Sequence, residues 1–194
     1  PLVIRHIKGN LALAHNGNLV NAAELRKAFE LGGAIFHGTS DTESIAYAIV
    51  QERLVCKSTE EAVSRVMNHL NGAYSCVVMT ATKLIGFRDP MGFRPLCIGK
   101  TDDGAYVIAS ESCALDTIGA KFIRDIAPGE IVTVSTEGIS SDTSHCGKCK
   151  GGMCVFEYIY FARPDSVIEG SSVQQARMRA GEFLAKESPV DADI

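Results

Sequence analysis

The residues best suited to chemistry are Asn16 and Gly17. They follow Ala12-Leu13-Ala14-His15, and the run reads as a strand that ends in an Asn-Gly turn. An Asn side-chain amide beside a Gly backbone N–H offers two adjacent donors. Two donors aimed at one point stabilise the negative oxygen of a tetrahedral intermediate. A plain hairpin turn is the competing reading, because Asn-Gly commonly makes one. No nucleophile stands beside the pair in the sequence. Asp41 is the next candidate. Ser40-Asp41-Thr42-Glu43 has the spacing of a helix cap with Ser40 at the cap itself. The positive end of that helix favours an ionised Asp41, and Ser40 at the cap leaves its carboxylate free for a ligand. The competing reading makes Asp41 part of the cap. His15, alone at a strand end, reads as structural.

The thiols divide into two groups. Cys56, Cys76, Cys97 and Cys113 lie in apolar stretches and read as buried, inert side chains. Cys146, Cys149 and Cys154, with His145 in front, have the look of a metal site. Adjacent His145 and Cys146 make poor partners for one tetrahedral ion, so surface thiols are the preferred reading of Cys146 and Cys149. Arg88, Asp89 and Arg94 read as charged residues that hold a loop before Pro95 through ion pairs. Tyr158, Tyr160 and Phe161 read as core of a buried strand. Arg163 and Asp165 carry no assignable ligand.

The elements that must position these residues are legible from period and punctuation. Asn21 and Glu24 have capping-box spacing before a helix over 22–31 that Gly32-Gly33 ends. Residues 34–36 read as a short strand. A second helix follows from Ser40 to about residue 54, and a third after Ser58. Residues 74–80 are almost continuously apolar, which predicts a strand buried on both faces, with 83–88 returning beside it. Segments 95–99 and 105–109 read as a hairpin around Asp102-Asp103-Gly104. Ser112 is expected to cap a short helix, 130–134 to form a strand, and 155–161 another. A helix over 171–186 has Val173, Ala176, Ala180, Phe183 and Leu184 available for one face. The polar, Gly-rich stretch 140–152 is the best candidate boundary. The order predicts an α+β fold of mixed antiparallel sheets rather than alternating βαβ units.

The totals limit the function. The chain has 194 residues, 46% hydrophobic and 22% charged, with a formal net charge of −4. That balance leaves no electrostatic footprint for nucleic acid. No apolar run approaches the length that spans a bilayer. Seven cysteines without secreted-scaffold spacing predict a reduced, cytoplasmic setting.

The blocks Ala14-His15-Asn16-Gly17-Asn18-Leu19-Val20-Asn21 and Ser40-Asp41-Thr42-Glu43 resemble the glutamine-binding motifs of class II glutamine amidotransferases. Arg88-Asp89-Pro90-Met91-Gly92-Phe93-Arg94-Pro95-Leu96 fits the same superfamily. Glu157-Tyr158-Ile159-Tyr160-Phe161-Ala162-Arg163-Pro164-Asp165-Ser166 is narrower. It looks like the entry to a phosphoribosyltransferase domain in the purine-synthesis branch of that family, and Ser110-Glu111-Ser112-Cys113-Ala114 and Pro189-Val190-Asp191-Ala192-Asp193 fit there too.

This resemblance implies a four-layer αββα N-terminal-nucleophile hydrolase sandwich over residues 1–152, incomplete at its start. The beginning of a phosphoribosyltransferase domain would follow over 153–194. It implies that a processed N-terminal cysteine attacks the glutamine amide, with its own α-amino group as base. Asn16 and Gly17 would form the oxyanion hole, and Asp41 would hold the α-ammonium of glutamine. Ammonia would then displace pyrophosphate from phosphoribosyl pyrophosphate to give 5-phosphoribosylamine. Mg²⁺ would belong to the phosphoribosyltransferase part. Some relatives carry a [4Fe–4S] cluster, for which Cys154 matches one ligand. Purine nucleotides as inhibitors and a homo-oligomer are implied as well. The nucleophile and the carboxylate-gripping arginine would lie before Pro1, so the chain is expected to be an internal fragment without glutaminase activity. Another class II amidotransferase, a Cys-rich metal-binding module and an inactive regulatory homologue are the alternatives.

Overall fold

Leu11, Leu13 and Leu19 alternate along one strand and are all buried, as a period of two requires when one face meets a core. The computed structural model that shows this describes residues 1–191, so residues 192 and 193 of the Pro189–Asp193 block lie outside the described residues. The strands are β1 (Leu2–His6), β2 (Gly9–Leu19), β3 (Gly72–Thr80), β4 (Leu84–Arg88), β5 (Cys97–Lys100) and β6 (Tyr106–Ala109). They continue with β7 (Lys121–Asp125), β8 (Ile131–Ser135), β9 (Gly138–Asp142), β10 (Val167–Ile168) and β11 (Ser171–Ser172). The helices are α1 (Ala22–Leu31), α2 (Asp41–Val55), α3 (Thr59–Val66), α4 (Ser112–Thr117) and α5 (Val173–Glu187). Two compact units result: Pro1–Leu96 with Ile126–Met153, and Cys97–Asp125 with the residues from Cys154 onward.

The first unit is one antiparallel sheet in the order β1-β2-β3-β4-β8-β9, with α1, α2 and α3 against one face. Leu13, Tyr74, Val78, Phe87 and Ile131 from the sheet meet Phe29, Ile45, Ile49, Val63 and Val66 from the helices in a single cluster. These are two of the four layers the resemblance implies, a sheet and its covering helices. On the other face of β1–β3, Val3 is 65% and Met79 56% exposed, and Ala14, Asn16 and Asn18 are exposed too. Met79 ends the expectation that 74–80 is buried on both faces throughout.

Caps fall where the spacing predicts for α2 and α3. Ser40 Oγ accepts from Thr42 N, and Ser58 Oγ from Glu61 N. Asn21 differs. It precedes α1 without a side-chain cap; its Oδ1 accepts from Asn71 N and its Nδ2 donates to His69 O. The side chain that local spacing assigns to the helix instead ties the helix start to the turn before β3. The expected strand at 34–36 is irregular backbone. Phe36 packs on Tyr47 and lies beneath the Arg26 guanidinium, and Tyr47 Oη donates to Ile35 O. Side chains hold this segment, so it needs no strand partner.

In the second unit β5 pairs with both β6 and β7, and the predicted hairpin is its first pair. Cys97, Leu115 and Ala120 form its small core. Ser112 is the first residue of α4 rather than its cap, which is Glu111. Residues 155–161 are not a strand. Glu157–Phe161 winds as a π-helical turn, closed by Ala162 N donating to Glu157 O. The Arg177 side chain of α5 donates to the carbonyls of Tyr158 and Ala162. That tertiary contact favours the helical turn over the β preference of an aromatic, β-branched run. Tyr160 is 78% exposed, so the core reading of this segment fails. On α5 only Val173 of the predicted apolar face is buried; Phe183 and Leu184 are exposed. No helix among the described residues is long and apolar enough to cross a membrane.

Candidate functional site

Asn16 and Gly17 sit inside β2, not at its end. Asn16 faces Ser75, Gly17 faces Tyr74 and Asn18 faces Ala73 on β3. Neither a turn nor a hairpin forms here, because the pairing partner lies more than fifty residues downstream in the same register as the rest of the strand. Gly17 has φ +143°, and a Cβ there would stand 2.1 Å from the Ala73 carbonyl oxygen. Only glycine fits that close approach.

The ladder sets the direction of the Gly17 N–H. In antiparallel pairing one residue turns its N–H and C=O to the same side. Tyr74 turns both toward Asp89: its N–H donates to Asp89 Oδ2 and its carbonyl accepts from Asp89 N. Gly17, opposite Tyr74, therefore turns its own groups away from β3. That side of β2 is covered by β1 only as far as the pair Leu2 and Leu13. Beyond it, no strand among the described residues pairs with that side of β2. Leu19, of the same parity as Gly17, shows what such an N–H meets: it donates to Asp41 Oδ2 at 2.9 Å. The Asn16 side chain is exposed on the sheet face away from the helices.

Asp41 is the first residue of α2, so its carboxylate sits at the positive end of the helix. It is held rather than free. Besides the Leu19 bond, Oδ1 lies 3.4 Å from His15 Nδ1, which is also 3.2 Å from Thr42 Oγ1. The His15 side chain is 2% exposed. Burial lowers its pKa, while the Asp41 charge pulls the other way. Sequence reading sets His15 aside, yet it touches the Asp41 carboxylate. Its signal was parity: His15, Gly17 and Leu19 share one side of an extended strand.

Two clefts flank Asn16 and Gly17 along β2. One, of about 590 Å³, is lined by Leu13, Ala14 and His15 and by His37, Gly38, Ser40, Thr42 and Glu43. Glu43 shapes its rim by accepting from His37 N and Gly38 N, and these bonds hold its carboxyl below the usual range despite the opposing effect of burial. The other, of about 490 Å³, is lined by Asn18, Ala73, Asp89, Phe93 and Cys149 among others. Asn16, Gly17 and Asp41 line neither cleft.

The remaining candidates do not join this site. Arg88 and Asp89 act on main chain. The Arg88 guanidinium donates to the carbonyls of Gly92, Arg94 and Ile126. Asp89, fully buried, accepts from the N–H groups of Tyr74, Met91 and Phe93, and burial raises its carboxyl pKa. Both ring nitrogens of His145 have other partners: Nε2 lies 3.1 Å from Ser64 Oγ and Nδ1 2.9 Å from Lys148 Nζ. Among the described residues no three His, Cys, Asp or Glu side chains gather to hold a metal ion. All seven cysteines are free thiols, with Cys56, Cys76, Cys97 and Cys113 buried as predicted and Cys149 exposed. Arg163 and Asp165 form a two-bond pair on the surface.

Residues 1–117 match the family described as the glutamine amidotransferase domain. The chain is 44% identical to the amidophosphoribosyltransferase of Methanocaldococcus jannaschii and 44% to that of Bacillus subtilis. All of this chain is covered in both matches, against 44% and 40% of those proteins, so it spans about two fifths of their length. The solved glutamine phosphoribosylpyrophosphate amidotransferase of B. subtilis, complexed with ADP and GMP, superposes with a TM-score of 0.91 over 100% of this chain and 42% of that one. A glutamine aminotransferase class-II domain protein from Silicibacter pomeroyi, 15% identical with a TM-score of 0.52 over 68% of this chain and 65% of that one, shares the fold.

Proposed function

The chain belongs to the glutamine amidotransferase domain family, and on that premise we propose that it serves in the glutamine-hydrolysing part of an amidophosphoribosyltransferase. The observation that carries this reading is the half of β2 from Ala14 to Leu19. There the Gly17 N–H turns away from β3, next to an Asn side chain and close to an anchored carboxylate. Asn16 and Gly17 donate to the oxyanion, and Asp41 receives the α-ammonium of glutamine. A carboxylate has acceptor sites beyond the two that Leu19 and His15 occupy.

The attacking group is the N-terminal cysteine of the mature enzyme, with its own α-amino group as base. The thiol adds to the side-chain amide, the oxyanion collapses, and ammonia leaves a γ-glutamyl thioester. Water then frees glutamate and restores the thiol. Ammonia displaces pyrophosphate from phosphoribosyl pyrophosphate in the partner domain, giving 5-phosphoribosylamine for purine synthesis in the cytoplasm. Residues 1–152 serve the first half-reaction and 153–194 open the second domain. Purine nucleotides as regulators have a counterpart in the B. subtilis enzyme, solved with ADP and GMP, and a homo-oligomer completes the proposal. Mg²⁺ belongs with the phosphoribosyl pyrophosphate site. Cys154 is the single ligand this chain offers a [4Fe–4S] cluster, and the described residues alone do not hold one.

The test is glutamine hydrolysis by the full-length enzyme that carries this chain. Asn16→Ala should lower kcat about a hundredfold or more with KM nearly unchanged, since an oxyanion donor acts in the transition state. Full activity in the variant, or none in the wild type, refutes the reading. The chain by itself should release no ammonia from glutamine above background.

A further inference from the structure

Asp89 ends β4 in an unusual way. The ladder to β3 continues through its N–H, which donates to Tyr74 O, but not through its carbonyl. That carbonyl turns instead to the N–H groups of Gly92 and Gly129. The side chain takes over the vacant role: Oδ2 accepts from Tyr74 N at 3.2 Å. The same carboxylate accepts from Met91 N at 2.9 Å and from Phe93 N. A fully buried carboxylate with three main-chain donors fixes those donors firmly.

The peptide it fixes matters. Ala73 C=O and Tyr74 N–H are the two ends of one peptide unit. Asp89 holds the N–H end. The C=O end rests on the bare Cα of Gly17, where a Cβ would come within 2.1 Å of the oxygen, 2.7 Å of the carbon and 3.0 Å of Tyr74 Cα. The plane of that peptide thus sets the tilt of the Gly17 backbone, and with it the aim of the Gly17 N–H.

We propose that Asp89 is a positioning residue for glutamine hydrolysis: by gripping the 73–74 peptide it aims the Gly17 N–H at the developing oxyanion. This rests on the oxyanion role given to Gly17 above. Asp89 touches no reacting atom. Replacing one carboxylate oxygen by an amide NH₂ sets a donor against the main-chain N–H groups, so the peptide must rotate. A donor that matters only in the transition state lowers kcat and spares KM when it is misaimed.

The experiment compares Asp89→Asn with Arg88→Lys in the full-length enzyme. Arg88 holds the same loop through the Gly92, Arg94 and Ile126 carbonyls, whereas Asp89 bonds the 73–74 peptide itself. The expected result is a kcat for glutamine hydrolysis at least about tenfold lower in D89N, with KM within about twofold. R88K should lose thermal stability and keep kcat. Equal loss of kcat in both variants, or none in D89N, overturns the inference. Should D89N fail to fold, D89E keeps the charge and the acceptors while shifting them by one methylene. Its kcat should fall in the same way, and an unchanged kcat overturns the inference too. A second readout needs no catalysis. In the ¹⁵N-labelled chain, D89N should move the Gly17 amide resonance and R88K should leave it. A still Gly17 signal in D89N refutes the proposal, whereas an inactive wild type refutes only the reading of the function.

Discussion

The two halves of β2 differ in what their edges do. From Gly9 to Leu13 the strand pairs with β1, and from Leu11 onward with β3. From Ala14 to Leu19, β3 alone among the described residues pairs with the strand. On the other side a carboxylate, Asp41, accepts from Leu19 N and stands beside the donor of Gly17. One strand thus provides both rigidity and reach. Its doubly paired half anchors the register, and its singly paired half presents main-chain donors.

The two glycines of the strand offer the sharpest way to break this comparison. Gly9 and Gly17 both have positive φ, +119° and +143°. A Cβ at Gly9 meets nothing within 4 Å, whereas one at Gly17 meets the Ala73 carbonyl. Gly17→Ala should therefore cost about 4 kcal/mol or more, because backbone strain of ~1–3 kcal/mol adds to overpacking of similar size. It should also abolish glutamine hydrolysis in the full enzyme. Gly9→Ala should show the strain alone, about 1–2 kcal/mol, with activity retained. Urea midpoints of the two variants measure the difference. Equal losses would mean that the 73–74 peptide gives way easily and the close approach constrains nothing.

That glycine also shows where sequence reading stops. Asn-Gly is a turn signal because neighbouring residues usually decide local conformation. Gly17 obeys Tyr74 instead, and no local pattern encodes a partner that far along the chain. The same cause explains the π-helical turn at 157–161, fixed by Arg177, and Asn21, whose side chain answers Asn71 and His69. Strand β9 has the sequence Gly-Ile-Ser-Ser-Asp, with one apolar residue and no alternation to find. By contrast α2, α3, β3 and the β5–β6 hairpin declare themselves, since caps, apolar runs and tight turns are local. The candidate site was half legible: Asn16, Gly17 and Asp41 stand out by type and spacing. His15 and Asp89 act only through contacts that the fold creates.

Packing gives the next largest effect. Leu13 is the last residue of β2 with a partner on both sides and is fully buried in the main cluster. Leu13→Ala should cost about 2–5 kcal/mol. Val3, whose side chain is 65% exposed on the other face of the same sheet, should cost no more than about 0.5 kcal/mol when changed to Ala. Thermal melts of both variants test whether the helix-covered face alone supplies the stability of this unit. A large loss from Val3→Ala would show that the second face is packed in solution.

Acid is the mildest probe, and it separates the halves by their histidines. His6, on β1 and facing Gly9 in the half of β2 that β1 covers, has its pKa lowered by burial and then by Arg53 and Lys8. His15, in the singly paired half, has its pKa lowered by burial against the pull of Asp41. A lowered folded pKa means the unfolded chain binds the proton first. Stability is therefore whole above the ordinary histidine value of about 6.5 and is lost as pH falls below it. Melting temperatures taken from pH 7.5 down to 5 should decline for the wild type. In Asp41→Asn the opposing charge is gone, so burial is countered only by the Ala73 main chain and the decline should steepen. A shallower slope in that variant would mean that the Asp41 carboxylate does not reach His15 in solution. The half of β2 from Ala14 to Leu19 would then need another anchor beside Gly17.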